Sequence, residues 1–208
     1  LFLVAGVAVT AWWRASRPTE QPLTRLELDL GPNADLVPFW GPNAILSPDG
    51  TRLVYVVNSP DGKSQLATRL LDRSEPALLS GTEGAANPFF SPDGQWVAFF
   101  APGKLKKVAI TGGATIDLCD TRSLPPGGSW GEDGSIVAAL AQASPLSRVS
   151  SAGGAPQPVT QLDERNAEQS HRWPQILPGG NAVLFTAGVY GAIEETGSIV
   201  VQSLKNGS

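Results

Sequence analysis

The sequence predicts an all-β chain: a β-propeller of four-stranded antiparallel blades, about four of them in an incomplete ring, preceded by the end of a transmembrane helix. Three observations carry the prediction. A Pro/Asp/Gly-rich turn runs directly into a short apolar strand four times: SPDG-TRLVYVV from Ser47, SPDG-QWVAFF from Ser91, GEDG-SIVAAL from Gly131 and LPGG-NAVLFT from Leu177. The third turn positions, Asp49, Asp93, Asp133 and Gly179, follow one another at steps of 44, 40 and 46 residues. That is the length of a multi-strand propeller blade; leucine-rich repeats are shorter, and helical solenoids need a 3.6-residue apolar period that these segments lack. Each unit then carries a second strand and turn: LATRLLDRSEPALL from Leu66, LKKVAITGGATIDL from Leu105, LSRVSSAGGAPQPV from Leu146 and IVVQSLKNGS from Ile199.

The elements follow in order from the amino end. Residues 1–13, LFLVAGVAVTAWW, are uncharged and almost wholly apolar, and Arg14 and Arg17 come next. A hydrocarbon core needs about 20 helical residues, so residues 1–14 are expected to be the C-terminal part of a longer transmembrane helix, with Trp12 and Trp13 at the interface. A signal peptide and a buried core segment are the alternatives; no charged region precedes the apolar run and no small-x-small site follows it. Residues 15–24 form a Pro-containing linker. Residues 25–208 are the repeats, with blades starting near 44, 88, 128 and 172, and Arg25–Leu30 alternates as a strand that would belong to a closing blade.

Each turn has a local physical basis. In Ser47-Pro48-Asp49-Gly50 and Ser91-Pro92-Asp93-Gly94 the proline fixes φ at the second position, the aspartate bonds the backbone ahead, and the glycine takes the left-handed region. Asp133-Gly134 and Gly179-Gly180 hold the same places in the later units. The second turns, at Asp72-Arg73, Gly112-Gly113, Gly153-Gly154 and Asn206-Gly207, are expected to be two-residue hairpin turns, in which both central residues need positive φ. Aromatic residues lie just before the first turns, in Pro88-Phe89-Phe90, at Trp130 and in His171-Arg172-Trp173-Pro174. Core packing between neighbouring blades accounts for them.

Composition sets limits on function. Glycine (23) and proline (18) are abundant, yet apolar runs recur between them, which points to many tight turns rather than disorder. The net charge is −4, and the 15 Lys and Arg residues are dispersed apart from Lys104, Lys106 and Lys107, so no basic stripe suggests nucleic acid. Those three lysines are expected to form a solvated edge. The single cysteine, Cys119, excludes an internal disulfide and is expected to be a small core residue.

Two places invite a catalytic or binding reading. Gly127-Gly128-Ser129-Trp130-Gly131 matches the G-x-S-x-G nucleophile elbow, with Asp163 and the only histidine, His171, following in hydrolase order. An elbow needs a strand before the serine and a helix after it; here a Pro-Pro-Gly-Gly stretch precedes and another turn follows, so a blade strand is the better expectation. The most polar insert, from Asp163, Glu164 and Arg165 to His171 and Arg172, is expected to form a loop at one rim of the propeller, where a protein or small-molecule ligand would bind. A solvated loop with His171 bonded to a neighbouring blade is the plainer account. No metal-ligand spacing is visible, so no cofactor is expected.

The repeated SPDG turn, apolar strand and following strand-Gly-Gly resemble the Asp/Pro-rich repeats of the TolB-like and WD-like propeller families over about residues 42–208. Such repeats occur in bacterial periplasmic proteins, in the propellers of prolyl-oligopeptidase-type peptidases, and in the extracytoplasmic halves of some bacterial receptor serine/threonine kinases. With an apolar span and a Pro-rich linker in front, the arrangement resembles the last of these most. The resemblance implies a membrane-anchored, extracytoplasmic sensor or protein-interaction module. No kinase motif is present, so this chain itself is expected to be non-catalytic. The propeller of an oligopeptidase and a TolB-like periplasmic scaffold are the alternatives.

Overall fold

The computed structural model describes residues 25, 27–31, 34, 41–59, 61–122, 125–189, 191–192 and 197–205. The expected membrane helix (1–14), the linker (15–24) and the Asn206-Gly207 turn lie outside these residues. Among the described residues no helix is long and apolar enough to cross a membrane. Arg25 and 27–30 lie in no strand, so the strand expected at Arg25–Leu30 is not formed there. Residues 1–30 and 31–208 make two separate compact units, and the repeats occupy the second.

That second unit is a series of antiparallel meanders. Blade 1 is β1 (Ala44–Leu46), β2 (Arg52–Asn58), β3 (Ser64–Leu70) and β4 (Ala77–Leu78); blade 2 is β5 (Ala86–Phe90), β6 (Trp96–Ala101), β7 (Lys104–Ala109) and β8 (Ile116–Asp120). Blade 3 is β9 (Gly128–Trp130), β10 (Ser135–Ala139), β11 (Leu146–Ser150) and β12 (Gln157–Pro158). Blade 4 has three strands among the described residues, β13 (Ser170–Ile176), β14 (Ala182–Gly188) and β15 (Ser198–Ser203). Strand order within each sheet is sequence order, as expected when tight turns join every neighbour.

The core lies between blades. Side chains alternate across a strand, so a central strand covered on both faces must be apolar at every position. In β6, Val97 and Phe99 pack with Val54, Val56 and Leu66 of blade 1, while Ala98 and Phe100 pack with Ile136, Ala138 and Val149 of blade 3. In β10 the other face supplies Val137 and Ala139, which meet Val183, Phe185 and Ala187 of β14. The runs WVAFFA and SIVAA thus look unpatterned because each strand serves two cores. Burying Phe99 or Phe100 is worth about 2–3 kcal/mol each by transfer. The next face is different: Ile199 and Val201 on β15 are 70% and 57% exposed.

The second turns depart from expectation. The amide of Gly112 bonds Ala109 O (2.9 Å) and that of Gly153 bonds Ser150 O (2.9 Å), which makes each glycine the last residue of a four-residue turn. The fourth strand starts only at Ile116 and Gln157. The glycine pairs, with φ of 89° and 122° and of 89° and 131°, steer the chain out of the turn instead of forming a two-residue hairpin. At Asp72-Arg73 neither residue has positive φ, and Arg73 N bonds Leu70 O in the same pattern.

Candidate functional site

The repeated first turns aim the inner strands. Gly50, Gly94, Gly134 and Gly180 close four-residue turns onto Ser47, Ser91, Gly131 and Leu177 through N–H···O bonds of 2.8 to 3.1 Å, each glycine with φ near 70°. Asp49, Asp93 and Asp133 accept the amides of Thr51, Gln95 and Ser135, at 3.1, 3.0 and 2.9 Å. Serine hydroxyls bond the same carboxylates, and these bonds hold all three below the ordinary aspartate range. Gly179 occupies the fourth place and bonds nothing through a side chain. Pro48 and Pro92 are exposed at the second position.

Upstream of each turn, the innermost strands β1, β5, β9 and β13 touch in succession. Four residues before the turn's first residue, each described blade from the second onward has a left-handed residue: Asn87 (φ 49°), Gly127 (φ 102°) and Trp173 (φ 50°). Asparagine tolerates this region and glycine is at home in it, but a tryptophan there is strained by about 1–2 kcal/mol. The pairing of β5 with β6 slips between Ala86 and Phe89, and that of β13 with β14 between Arg172 and Gln175, so both positions are bulges. Asn87 Nδ2 donates to Pro125 O (2.8 Å) and Trp173 N to Pro126 O (2.9 Å), which ties both to the lead-in of blade 3. Around them opens a cleft of about 300 Å³ whose walls include Asn87, Pro88, Phe89, Gly127, Trp173 and Pro174. Trp173 is 36% exposed, and the Arg172 guanidinium lies 6.0 Å from its ring.

This arrangement offers rings and proline faces: binding chemistry for an extended apolar or proline-containing segment. Ser129 sits in β9, and its hydroxyl accepts Ile176 N–H (3.0 Å) in a blade-to-blade bond, with a turn rather than a helix following. Among the described residues no group of three or more His, Cys, Asp or Glu side chains could hold a metal ion.

The polar insert divides. Asp163, Glu164 and Arg165 are exposed; Asp163 caps a short 3-10 turn at Glu164–Asn166 by accepting Arg165 N (2.9 Å). His171 and Arg172 are not part of that loop: they are buried strand residues of β13, 2% and 3% exposed. His171 Nδ1 lies 2.7 Å from Thr160 Oγ1, and Nε2 lies 3.1 Å from Glu168 Oε2. Thr160 Oγ1 also accepts Leu146 N–H (2.8 Å), so this one hydroxyl joins the start of β11 to the His171 ring. The ring packs on Phe185 with centroids 4.6 Å apart. His171 therefore locks blade 4 to blade 3, and neither nitrogen faces Ser129.

Thr160 belongs to a pattern that sequence reading missed. Thr82, Thr121 and Thr160 stand 39 residues apart, each buried beyond its blade's fourth strand. Thr82 Oγ1 accepts Leu66 N–H (3.0 Å) as Thr160 Oγ1 accepts that of Leu146. Of the three lysines, Lys104 pairs with the exposed Asp120 (2.6 Å) and Lys106 with Asp117 (3.2 Å) in solvent-facing ion pairs, while Lys107 departs from a solvated edge and lies over indole rings. Cys119 is half-buried, and burial pushes its thiol up to about 11.

Comparison with solved structures agrees with the stacked-blade architecture. The chain is similar to a putative TolB from Agrobacterium tumefaciens (TM-score 0.63, 17% identity, 78% of this chain and 64% of that one). TolB from Acinetobacter baumannii aligns with TM-score 0.62, 12% identity, 80% of this chain and 41% of that one. A Mycobacterium tuberculosis puromycin-hydrolyzing peptidase aligns with TM-score 0.57, 14% identity, 79% of this chain and 28% of that one. The fold is a β-propeller. At these identities the likeness carries the fold alone, and the chain spans less than two thirds of the length of each structure. No family model matches the chain, and no curated protein matches its sequence.

Proposed function

We propose that this chain is a non-catalytic, TolB-like propeller domain that holds an extended protein segment in the inner-strand cleft. The observation that carries the reading is the convergence of Asn87, Gly127 and Trp173 on one cleft, with a bulky tryptophan kept in a left-handed backbone and left partly exposed. Strain retained at an open surface points to use of that surface. The extracytoplasmic placement of the repeats belongs to the same proposal and rests on their resemblance to TolB-like sequences. The receptor-kinase sensor role has no counterpart among the two TolB proteins and the peptidase described above, so the scaffold reading is preferred to it. A hydrolase-linked propeller is the second reading, favoured by the likeness to the peptidase.

The test is selection of a displayed peptide library on the 208-residue chain, followed by affinity measurement against Trp173→Gly. Glycine relieves the backbone strain while it removes a ring that is mostly buried, so binding is expected to fall at least about tenfold, with urea unfolding of the variant showing that it is still folded under the binding conditions. Peptides that bind Trp173→Gly as well as the parent would refute the cleft as the site.

A further inference from the structure

Sharing only Trp130 with the inner cleft, a groove of about 520 Å³ runs between blades 2 and 3 beside the Ser91 and Gly131 turns. Trp96 opens β6 and Trp130 ends β9, and Lys107 of β7 lies between them. Its Nζ is 4.5 Å from the Trp96 ring centroid and 5.9 Å from that of Trp130. Lys107 pairs with Ala98 across the ladder, on the face whose neighbours Ala98, Phe100 and Leu105 pack against blade 3, so its stem is held in the joint and its ammonium emerges in the groove. Lys104 and Lys106 on the same strand are neutralised by Asp117 and Asp120. Lys107 has no carboxylate within 4 Å among the described residues.

We infer that the Trp96–Lys107–Trp130 groove is a second binding site, for a peptide segment that presents one carboxylate next to a proline ring. The carboxylate pairs with Lys107 and the ring lies on an indole face. An external cation is disfavoured because the chain's own ammonium already fills the aromatic slot. A polyanion such as nucleic acid is disfavoured too, since Asp93 and Glu132 stand at the lips of the groove and the net charge is −4. Neither Asp93 nor Glu132 comes within 4 Å of Lys107 Nζ, and Asp93 Oδ1 is taken up by Ser91 and Gln95, so the ammonium is left for a single incoming carboxylate. Trp130 lines both the groove and the inner cleft, whereas Lys107 and Trp96 line the groove alone, so these two residues tell the sites apart.

The test uses the whole chain with 15N-labelled indoles, assigned by Trp→Phe variants. The probes are N-acetyl-Pro-Glu-Pro-amide and its Gln counterpart. The Glu probe is expected to move the Trp96 indole signal saturably, with the Gln probe about fivefold weaker at Trp96, while Trp173 reports any separate binding in the inner cleft. Lys107→Met should abolish that preference. In the unmodified protein the preference should also shrink as salt rises from about 50 to 500 mM, a readout that needs no variant to fold. Equal binding of the two probes, a preference that survives Lys107→Met or is independent of salt, or no saturable movement overturns the proposal. Movement of Trp173, with or without Trp130, while Trp96 stays still also overturns it and leaves the cleft reading intact.

Discussion

Replacing Thr82, Thr121 and Thr160 in turn by valine asks one question at three equivalent positions and has three different expected answers. In blades 1 and 3 the fourth strand is only two residues long, Ala77–Leu78 and Gln157–Pro158, and stops short of the first buried leucine of the third strand. The threonine hydroxyl supplies the missing acceptor for Leu66 N–H or Leu146 N–H. In blade 2, β8 is longer, and its pairing with β7 runs through Leu105–Cys119 to Lys104–Asp120, so the ladder passes that level and the Thr121 hydroxyl is left buried with no partner among the described residues. A buried amide stripped of its acceptor costs about 1–3 kcal/mol. Thr160→Val strands Leu146 N–H and also removes the hydroxyl partner of His171 Nδ1, for a loss of about 2–4 kcal/mol. Thr82→Val strands Leu66 N–H, whereas Leu79 O keeps the Gln65 amide at 3.3 Å, so the loss is about 1–3 kcal/mol. Thr121→Val removes an unsatisfied hydroxyl and should be neutral or stabilising by up to about 1 kcal/mol. Urea unfolding followed by tryptophan fluorescence and far-UV circular dichroism measures all three, with unchanged m-values and coincident transitions as the condition for comparing them. At about 2–4 °C per kcal/mol for a chain of this size, Thr160→Val should lower Tm by about 5–15 °C. A Thr121→Val protein as unstable as Thr160→Val would refute the argument.

Four further outcomes are expected. Gly128→Ala places a Cβ 2.7 Å from the Phe89 ring and 3.4 Å from Ala138 Cβ, so it should destabilise by about 1–3 kcal/mol in the same denaturation assay. Cys119, with its thiol pushed up to about 11 from 9.0, should be alkylated by iodoacetamide at pH 8 roughly a hundredfold more slowly in the native chain than in urea. Asp49, Asp93 and Asp133 have lowered pKa values, so their stabilisation is complete above about pH 4 and is lost as pH falls through the folded values; acid unfolding should be less steep in Asp93→Asn. The 208-residue chain should self-associate as its concentration rises, and Ile199→Thr with Val201→Thr should reduce that association in light scattering.

The fold was legible because its signals are local and repeated. Proline, aspartate and glycine at fixed turn positions, followed by runs with no polar alternation, specify hairpin-linked strands that are buried twice. The Ser59-Pro60-Asp61-Gly62 stretch shows that the motif alone is not enough: it joins β2 to β3 within blade 1, out of phase with the repeat, yet Gly62 N bonds Ser59 O just as Gly50 N bonds Ser47 O. Phase came from the strands around each turn. The 39-residue threonine spacing was visible too, but only the short fourth strands reveal what the hydroxyls are for. His171 was misplaced into a loop because the charged residues ahead of it mask the start of β13.

The cleft was illegible for a different reason. Its defining property is a backbone conformation, and the three blades meet it with three residue types, Asn87, Gly127 and Trp173. The proline that follows Asn87 and Trp173 normally pushes its predecessor toward extended backbone, so even the neighbouring residue gives the wrong cue. What holds these residues left-handed is tertiary: the Asn87 side chain on Pro125 O and the Trp173 amide on Pro126 O, both in the lead-in to blade 3. A blade that only had to stack would be free to place an extended residue there. That two successive joints spend bonds on holding side chains of such different size at one level is the physical reason to look for a partner at the inner strands first.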